Sequence, residues 1–510
     1  GGFSLDAACA VCGPVSADQP LDVLDGIASL VDQNLLRQEQ GPDGEPRFGI
    51  LETIREFGLD QLAACGELDT IRGRHADYFL ALCEAVEPNV RGPDRRHWIA
   101  QLESENGNLR AALAWFLEAN GSSETAGDSI IGHGSGIGVE YGVQMVAALT
   151  WFWFHANQMH EARSWYASIL AARFAKGAGE HAPTAALALA HWGAGLMAMV
   201  ESDYQIAHSY LEESLAMARQ IGDPFLLTVC LRELGLLKLY QGDLGASDRY
   251  CRESLAQGRV AGSDWDLALA LFNIGNIANT LTDTPRAIAA YEECLGLFAK
   301  VHDERGIALV LAGLGLISCQ QGDYATARGH LETSSMLMRN QHNKWSLADV
   351  LSLFGEVLHR QGDLVQAEEL YVECLRLSHD IGEKTRMALM LHHFGAFAHM
   401  RGEDAAATRL FGAAAAMRSA ASGSDPFTIT SSDDYTRETD EVRAVLGEAS
   451  FAAHWAEGQA LSASQAVDLA LRSSRGAPLA TSSSTLSHVS VPPDDGLLPP
   501  IRVGESAGLS

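Results

Sequence analysis

Glycine recurs every 40 residues through the middle of this 510-residue chain, and this period constrains the fold more than any other feature. The glycines are Gly195, Gly235, Gly275, Gly315, Gly355 and Gly395. A glycine inside an apolar helix costs about 1 kcal/mol relative to alanine, so six in register require a packing reason. Close helix approach supplies one, because glycine has no side chain to hold two backbones apart.

A second column of small residues lies 12 positions after each glycine, and a turn signal such as Gly242-Asp243 separates the two columns. This column consists of Ala207, Ser247, Ala287, Ala327, Ala367 and Ala407. We expect the glycine of a first helix to face the small residue of a second helix across the turn. Each unit is then a helical hairpin that buries its apolar faces only by stacking on its neighbours.

Two further columns complete the pattern. A large residue follows four positions after the small one, at Leu211, Cys251, Tyr291, Leu331, Tyr371 and Phe411. A small residue follows three positions later, at Ser214, Ser254, Cys294, Ser334, Cys374 and Ala414. This spacing resembles the tetratricopeptide repeat, or TPR. The resemblance implies a mainly all-α fold: a right-handed α-α superhelix of TPR-like 40-residue hairpins over residues 142–420.

Residues 1–70 have a different pattern, and we expect a small winged-helix domain there, ahead of the superhelix. Ser4 is placed to cap a first helix, and a second apolar period runs from Val23 to Leu35. The turn Gly41-Pro42-Asp43-Gly44 lies between two strand-like segments, which predicts a two-stranded wing. A further helix is expected to begin at Glu52.

Four other segments follow from local composition. Residues 71–119 are predicted to form a helical bridge to the repeats, and residues 120–141 a Gly/Ser-rich linker or loop. Residues 421–471 are expected to form helices that cap the superhelix. The tail at residues 472–510 is rich in Ser, Pro and Gly without an apolar period, which predicts disorder.

Charge argues against direct binding to nucleic acid. The formal net charge is −29, and the winged-helix region contains Asp and Glu in large excess over Arg, whereas a DNA-binding domain needs a basic surface.

The longest apolar stretches are too short to span a membrane, so no membrane role is expected. Nine dispersed cysteines fit reduced core thiols, so we expect a cytoplasmic location and no metal site.

The glycine-rich segment Gly132–Gly138 lacks the pattern of a phosphate-binding loop. A P-loop requires a lysine that reaches the phosphates, and no Lys or Arg occurs between Asn120 and Glu161. We therefore predict no enzyme activity and no cofactor in this chain. ATP or ADP would be involved only if a nucleotide-binding module lies upstream.

The first helices of stacked hairpins line a concave face. Counting from each glycine, the residues at −3, +1 and +4 are expected to point into this groove. The candidate ligand or partner residues are Arg232, Asn276, Asn279, Glu356, His359, His392 and His399. This mixture suits a small polar ligand or an extended polypeptide. The alternative is a set of scattered polar residues on a solvated helix face.

Four runs outside the repeats resemble bacterial STAND-type (NB-ARC) regulators of the LuxR or AfsR kind. They begin at Val23, Arg47, Arg74 and Glu105. That family joins a P-loop ATPase, a winged helix, a TPR-like superhelix and a DNA-binding domain. Where relatives have a Met-His-Asp-like motif that touches the nucleotide, this chain has Ile50, Leu51 and Glu52.

The resemblance implies the C-terminal, non-catalytic sensor and protein-interaction region of a signal-transducing transcriptional regulator. A ligand or protein partner would bind in the TPR groove, and the winged helix would relay that event; self-association is also compatible with this architecture. The alternative is a stand-alone TPR scaffold or adaptor without a nucleotide switch.

Overall fold

A computed structural model describes residues 2–13, 23–41, 44–92, 94–118, 137–175, 182–341, 343–421 and 428–474. Almost all regular structure within these ranges is α-helical, which confirms the predicted mainly all-α fold class. Most of the predicted linker and almost all of the predicted tail lie outside the described residues. Within the described ranges, no helix is long and apolar enough to cross a membrane.

The N-terminal region combines three short strands with three helices. The strands are β1 (Phe3–Ser4), β2 (Leu36–Gln40) and β3 (Pro46–Ile50), and the helices are α1 (Leu5–Cys12), α2 (Val23–Asp32) and α3 (Glu52–Cys65). The predicted hairpin pairs Leu36 with Ile50. Ser4 caps α1 by accepting a hydrogen bond from the Ala7 backbone N–H. The sequence analysis missed β1, which pairs with β3 at Phe3 and Phe48.

Three helices connect this region to the repeats. They are α4 (Leu68–Val86), α5 (Arg95–Ser104) and α6 (Asn106–Glu118), with a 3-10 turn at Glu87–Arg91 after α4. Buried Phe79, Leu113 and Phe116 join the same apolar core as the first repeats. The bridge is therefore packed continuously onto the superhelix.

The first helices after residue 136 begin earlier than predicted. They are α7 (Ile137–Ala148), α8 (Thr150–His155) and α9 (Met159–Ala175). Helix α7 begins inside the segment that was expected to be a linker until residue 141. A break at Leu149 then separates α7 from α8.

Six regular hairpins follow, each made of a first and a second helix. The pairs are α10 (Ala185–Val200) with α11 (Tyr204–Ile221), α12 (Pro224–Tyr240) with α13 (Leu244–Ala261), α14 (Asp264–Thr280) with α15 (Thr284–Lys300), α16 (Glu304–Gln320) with α17 (Tyr324–Arg339), α18 (Lys344–Gln361) with α19 (Leu364–Ile381), and α20 (Lys384–Met400) with α21 (Asp404–Ala421). Asp243 shows why the turns form where they do, since its side chain caps α13 by accepting from the Ala246 N–H. Gly242 precedes it with φ +78, a conformation that favours glycine.

The glycine column packs more directly on the large-residue column than we expected. A Cβ added to Gly275 would lie 2.5 Å from the ring of Tyr291, and one added to Gly355 would lie 2.4 Å from Tyr371. The large residue therefore fills the space beside the glycine, where we expected the small residue of the second column. At Gly195 the backbone oxygen of Ala207 is also close, 3.3 Å from the added Cβ.

The fourth column tethers the two helices in the first five of the six hairpins, and Ala414 in the sixth has no side-chain donor. Ser214 donates a hydrogen bond to the carbonyl of Ala188, and Ser334 donates to the carbonyl of Ala308. The thiol of Cys294 makes the same contact with the carbonyl of Ala268. A small donor suits this position because the hydroxyl or thiol reaches the facing backbone without separating the helices.

Three helices follow the last hairpin: α22 (Ser432–Leu446), α23 (Glu448–Gln459) and α24 (Ala463–Ser473). Helix α23 lies against α21, where a Cβ on Gly412 would be 2.5 Å from the Trp455 carbonyl oxygen. Helix α24 buries Ala466, Val467 and Ala470. It ends one residue beyond the expected start of the tail.

Candidate functional site

The superhelix closes on its own first units. Arg95 Nη2 lies 2.7 Å from Asp303 Oδ1, although 208 residues separate them. Further along the same seam, Asn343 Nδ2 donates to the carbonyl of Phe154 at 3.0 Å. The Thr385 backbone N–H donates to Ser202 Oγ at 3.1 Å. Successive turns of the array are therefore in direct contact.

Aromatic side chains of α8 occupy the interior of this closed array. The Trp151 ring packs edge-on against Trp265, with centroids 5.1 Å apart. Phe154 lies 6.0 Å from the Trp345 ring, and the Arg305 guanidinium lies over its face at 5.4 Å. Because all these rings are buried or nearly so, the concave face of the middle repeats is filled by the chain itself.

Two cavities lie beside α8, one of about 240 Å³ lined in part by Trp192 and Val229 and a smaller one of about 60 Å³. The walls of the smaller cavity include Trp151, Phe272, Arg232 and Arg305. The smaller cavity holds only a few water molecules, so a polypeptide does not fit there without movement of the helices. Within the described residues, no group of three or more His, Cys, Asp or Glu side chains could hold a metal ion.

Buried charges surround the smaller cavity in pairs. Arg232 is 2% exposed and bonds to Glu233 at 2.9 Å and to Asp266. Burial lowers the pKa of Arg305 to about 10. Burial alone would raise the pKa of Asp303, yet the pKa is lowered because Arg95 and Arg305 favour its charged form. These groups hold neighbouring units together electrostatically.

The predicted groove residues of the middle repeats lie in this interior. Arg232 is engaged in the ion pairs just described. Asn276 accepts a hydrogen bond from Tyr291 Oη at 2.6 Å, and Asn279 is 5% exposed. These three residues therefore do not line an open, solvated groove, because closure of the array buries the first helices. A ligand role for them stays a prediction.

Glu356, in contrast, meets a non-helical segment of the same chain that bends at Ile429. Its carboxylate accepts hydrogen bonds from the hydroxyls of Thr428 and Thr430 at 2.9 Å. It also accepts from the backbone N–H groups of Ile429 and Thr430, both at 2.8 Å. We call residues 428–446, which comprise this segment and α22, the strap. Glu356 is 2% exposed beneath it.

The predicted histidines divide between the strap and the core. His392 Nε2 lies 2.9 Å from Glu438 of the strap. His359 packs against the rings of Tyr371 and Phe397. Burial lowers the pKa of both histidines. His399 lies further along, with Nδ1 2.5 Å from Asp404 Oδ1. Thus the structure brings Glu356 and His392 together under one segment and leaves His399 apart.

Sequence reasoning missed the residues that close the array. They lie at or next to the residue that caps the first helix of a hairpin. In the second to sixth hairpins the capping residues are Asp223, Ser263, Asp303, Asn343 and Glu383. This column also has a 40-residue period and could have been found. At Asp303, Asn343 and Glu383 the capping residue also contacts a residue 181 to 208 positions earlier, and that second role leaves no local signal.

The helices and their spacing define a protein built of TPR-like helical repeats. Residues 306–380 and 268–300 match models of the tetratricopeptide repeat. The chain is 34% identical over 241 residues to proteins of Mycobacterium tuberculosis and Mycobacterium bovis that carry the name HTH-type transcriptional regulator. The predicted resemblance to a bacterial transcriptional regulator is confirmed at this level.

The match to these regulators is partial. It covers 46% of this chain and 24% of each relative. Among solved structures, a Rap protein in complex with competence and sporulation factor shows a TM-score of 0.47 at 9% identity, covering 75% of this chain and 99% of that one. A STAND protein with a TPR sensor from Pyrococcus horikoshii shows 0.40 at 13% identity, covering 79% and 58%. We draw no functional argument from these two structures.

Proposed function

We propose that this chain is the non-catalytic sensing and protein-interaction region of a bacterial transcriptional regulator. In this proposal a partner bound to the TPR superhelix changes how tightly the superhelix closes, and the N-terminal region transmits that change. The similarity to HTH-type regulators supports the proposal that the chain is part of a transcriptional regulator. The TPR-like repeats support the proposed role in protein interaction.

The proposed transmission to the N-terminal region rests on one observation: Arg95, in the helical bridge, forms an ion pair with Asp303 in the fourth hairpin. Both side chains are nearly inaccessible, at 5% and 2% exposed. A buried pair of this kind has a strongly preferred geometry, because separating the two charges leaves each without compensation. Opening of the array must therefore break a contact made by the region next to the winged helix.

The substitution Asp303→Asn tests this coupling in the 510-residue chain. Asn keeps the helix cap, as Asn343 does one repeat later, but removes the charge that faces Arg95. We expect faster hydrogen exchange at α16 and, in the same variant, faster exchange in residues 94–118 and in the strands of residues 36–50.

The matched control is Asp264→Asn, which removes the partly exposed pair with Lys300 at the preceding repeat. It is expected to leave exchange in residues 2–118 unchanged. If Asp303→Asn loosens α16 while residues 2–118 exchange as in the wild type, the relay is contradicted. The stand-alone scaffold then becomes the better description.

A further inference from the structure

The strap lies over the concave side of the fifth and sixth hairpins, where the sequence predicted partner residues. It reaches Glu356 on α18 and His392 on α20, two of those predicted residues. Arg360 adds a third contact, since its Nη2 donates to the Ile429 carbonyl at 3.1 Å. One end of the groove is therefore occupied by a segment of the same chain.

The contacts at Glu356 are those of a receptor for a polypeptide that bends at the contact, as the strap does at Ile429. Two successive backbone N–H groups and two hydroxyls, spaced Thr-x-Thr, converge on one carboxylate. Backbone N–H groups are present in almost every peptide, whereas the two hydroxyls restrict the sequence. Hydrogen bonds to a charged acceptor are stronger than neutral ones, so this cluster orders the segment.

The strap buries little apolar surface. In α22, the helical part of the strap, Val442 is the buried side chain, and Tyr435, which packs on His392, is only partly covered. Helix α24, by comparison, buries three apolar side chains in a shorter segment. Segments with little apolar burial open more readily than the core around them. The strap is therefore better suited to exchange than α24.

We propose that Glu356, Arg360 and His392 form a binding site for a polypeptide segment of another protein that bends where it meets Glu356, and that the strap occupies this site until the partner displaces it. The partner segment presents Thr-x-Thr with free backbone N–H groups to Glu356, a carbonyl to Arg360 and an acidic side chain to His392. This inference rests on the proposed interaction role and gives that role a partner chemistry.

The test uses the full chain and a fluorescent synthetic peptide with the sequence of residues 427–440, followed by fluorescence anisotropy. In the wild type the strap competes with the peptide, so binding is weak. The variant Thr428→Ala/Thr430→Ala weakens the strap, and we expect it to bind the peptide at least about tenfold more tightly. Adding Glu356→Gln to that variant is expected to abolish the gain.

Thr436→Ala is the matched control, because Thr436 donates within α22 to Ser432 and is exposed. It is expected to bind the peptide as the wild type does. The proposal is overturned if Thr428→Ala/Thr430→Ala binds no better than the wild type, or if Glu356→Gln leaves the gain intact.

Hydrogen exchange in the wild type provides a second, independent measurement. We expect amides of residues 428–446 to exchange at least about tenfold faster than those of α20 and α24. Equal protection would show that the strap is a fixed part of the cap and would overturn the proposal. Neither result depends on Asp303, so failure here is distinguishable from failure of the relay.

Discussion

Arg95 and Asp303 lie 2.7 Å apart across a separation of 208 residues, and their contact joins the helical bridge to the middle of the repeat array. Asp303 also accepts hydrogen bonds from the Trp265 indole N–H at 2.8 Å and from the Arg305 backbone N–H at 3.1 Å. One carboxylate thus links the bridge, the third hairpin and the fourth hairpin.

Removing one partner of this pair should destabilise the protein strongly. We expect Arg95→Met to lower the free energy of unfolding by about 3 kcal/mol, because Asp303 stays buried without its counter-charge. The double variant Arg95→Met/Asp303→Asn should recover part of that loss. Arg72→Met breaks an exposed pair with Glu118 and should cost less than about 1 kcal/mol. Urea titration followed by circular dichroism measures all three; equal losses for Arg95→Met and Arg72→Met would contradict the expectation.

Two glycines in neighbouring helices should respond to alanine with opposite signs. At Gly275 the new Cβ would lie 2.5 Å from Tyr291, and we expect Gly275→Ala to destabilise by about 1 to 3 kcal/mol through overpacking. At Gly296, in the middle of α15, a Cβ meets nothing within 4 Å. Gly296→Ala should therefore stabilise by about 0.5 to 1 kcal/mol through helix propensity. The comparison uses the urea midpoints; a stabilising Gly275→Ala would refute close packing at the column.

His155 should make the protein less stable in mild acid. Burial, with help from Arg95 and Arg305, lowers the pKa of His155 well below its ordinary value. Below about pH 6.5 the unfolded chain binds a proton that the folded chain does not, so stability is full above that pH and falls as pH decreases, by up to about 1.4 kcal/mol per pH unit.

His155→Phe keeps a ring beside Trp151 and removes the titrating group. We expect the loss of stability between pH 6.5 and pH 5 to shrink by about 1 to 2 kcal/mol in this variant. His160→Gln, at a side chain that is 99% exposed, is the control and should retain the wild-type profile. Urea titrations at several pH values give the measurement; identical profiles for the wild type and His155→Phe would exclude His155 as the cause.

The cysteines should divide into two classes of reactivity. Cys9, Cys12 and Cys65 are exposed, and the other six are buried. Burial raises the pKa of Cys230 and of Cys251 to about 12, so little thiolate forms near neutral pH. Iodoacetamide labelling at pH 8, read by peptide mass spectrometry, should modify the exposed class first and the buried class only in urea. Rapid labelling of Cys230 or Cys251 in the native chain would show that the repeats open locally.

Much of the repeat architecture follows from patterns that lie within one unit. Gly242-Asp243 sets a turn through a left-handed glycine and a capping carboxylate, and both act within a few residues of themselves. The two-residue strand β1 shows the opposite case. Its partner Phe48 lies 45 residues away from Phe3, and a strand this short has no period of its own that a sequence pattern could reveal.

The candidate site likewise combines residues that a local pattern predicts with a contact that depends on distant parts of the chain. Counting from the glycines placed Glu356 and His392 on the concave side, because the helical period fixes which side chains share a face. That the strap covers them depends on Thr428, Thr430 and Glu438 returning to helices about 45 to 75 residues earlier. Nothing in the composition of residues 428–446 specifies this return.

The repeat unit could be predicted from the amino-acid pattern, because its length, its two helices, its turn and the close approach at each glycine all arise from interactions within about 40 residues. Closure of the array, which fills its own groove, became visible only in the folded protein. The small rotation between neighbouring hairpins adds up over five units until Asp303 meets Arg95 and Thr385 meets Ser202. An accumulated rotation is a property of the whole stack, so no single unit encodes it.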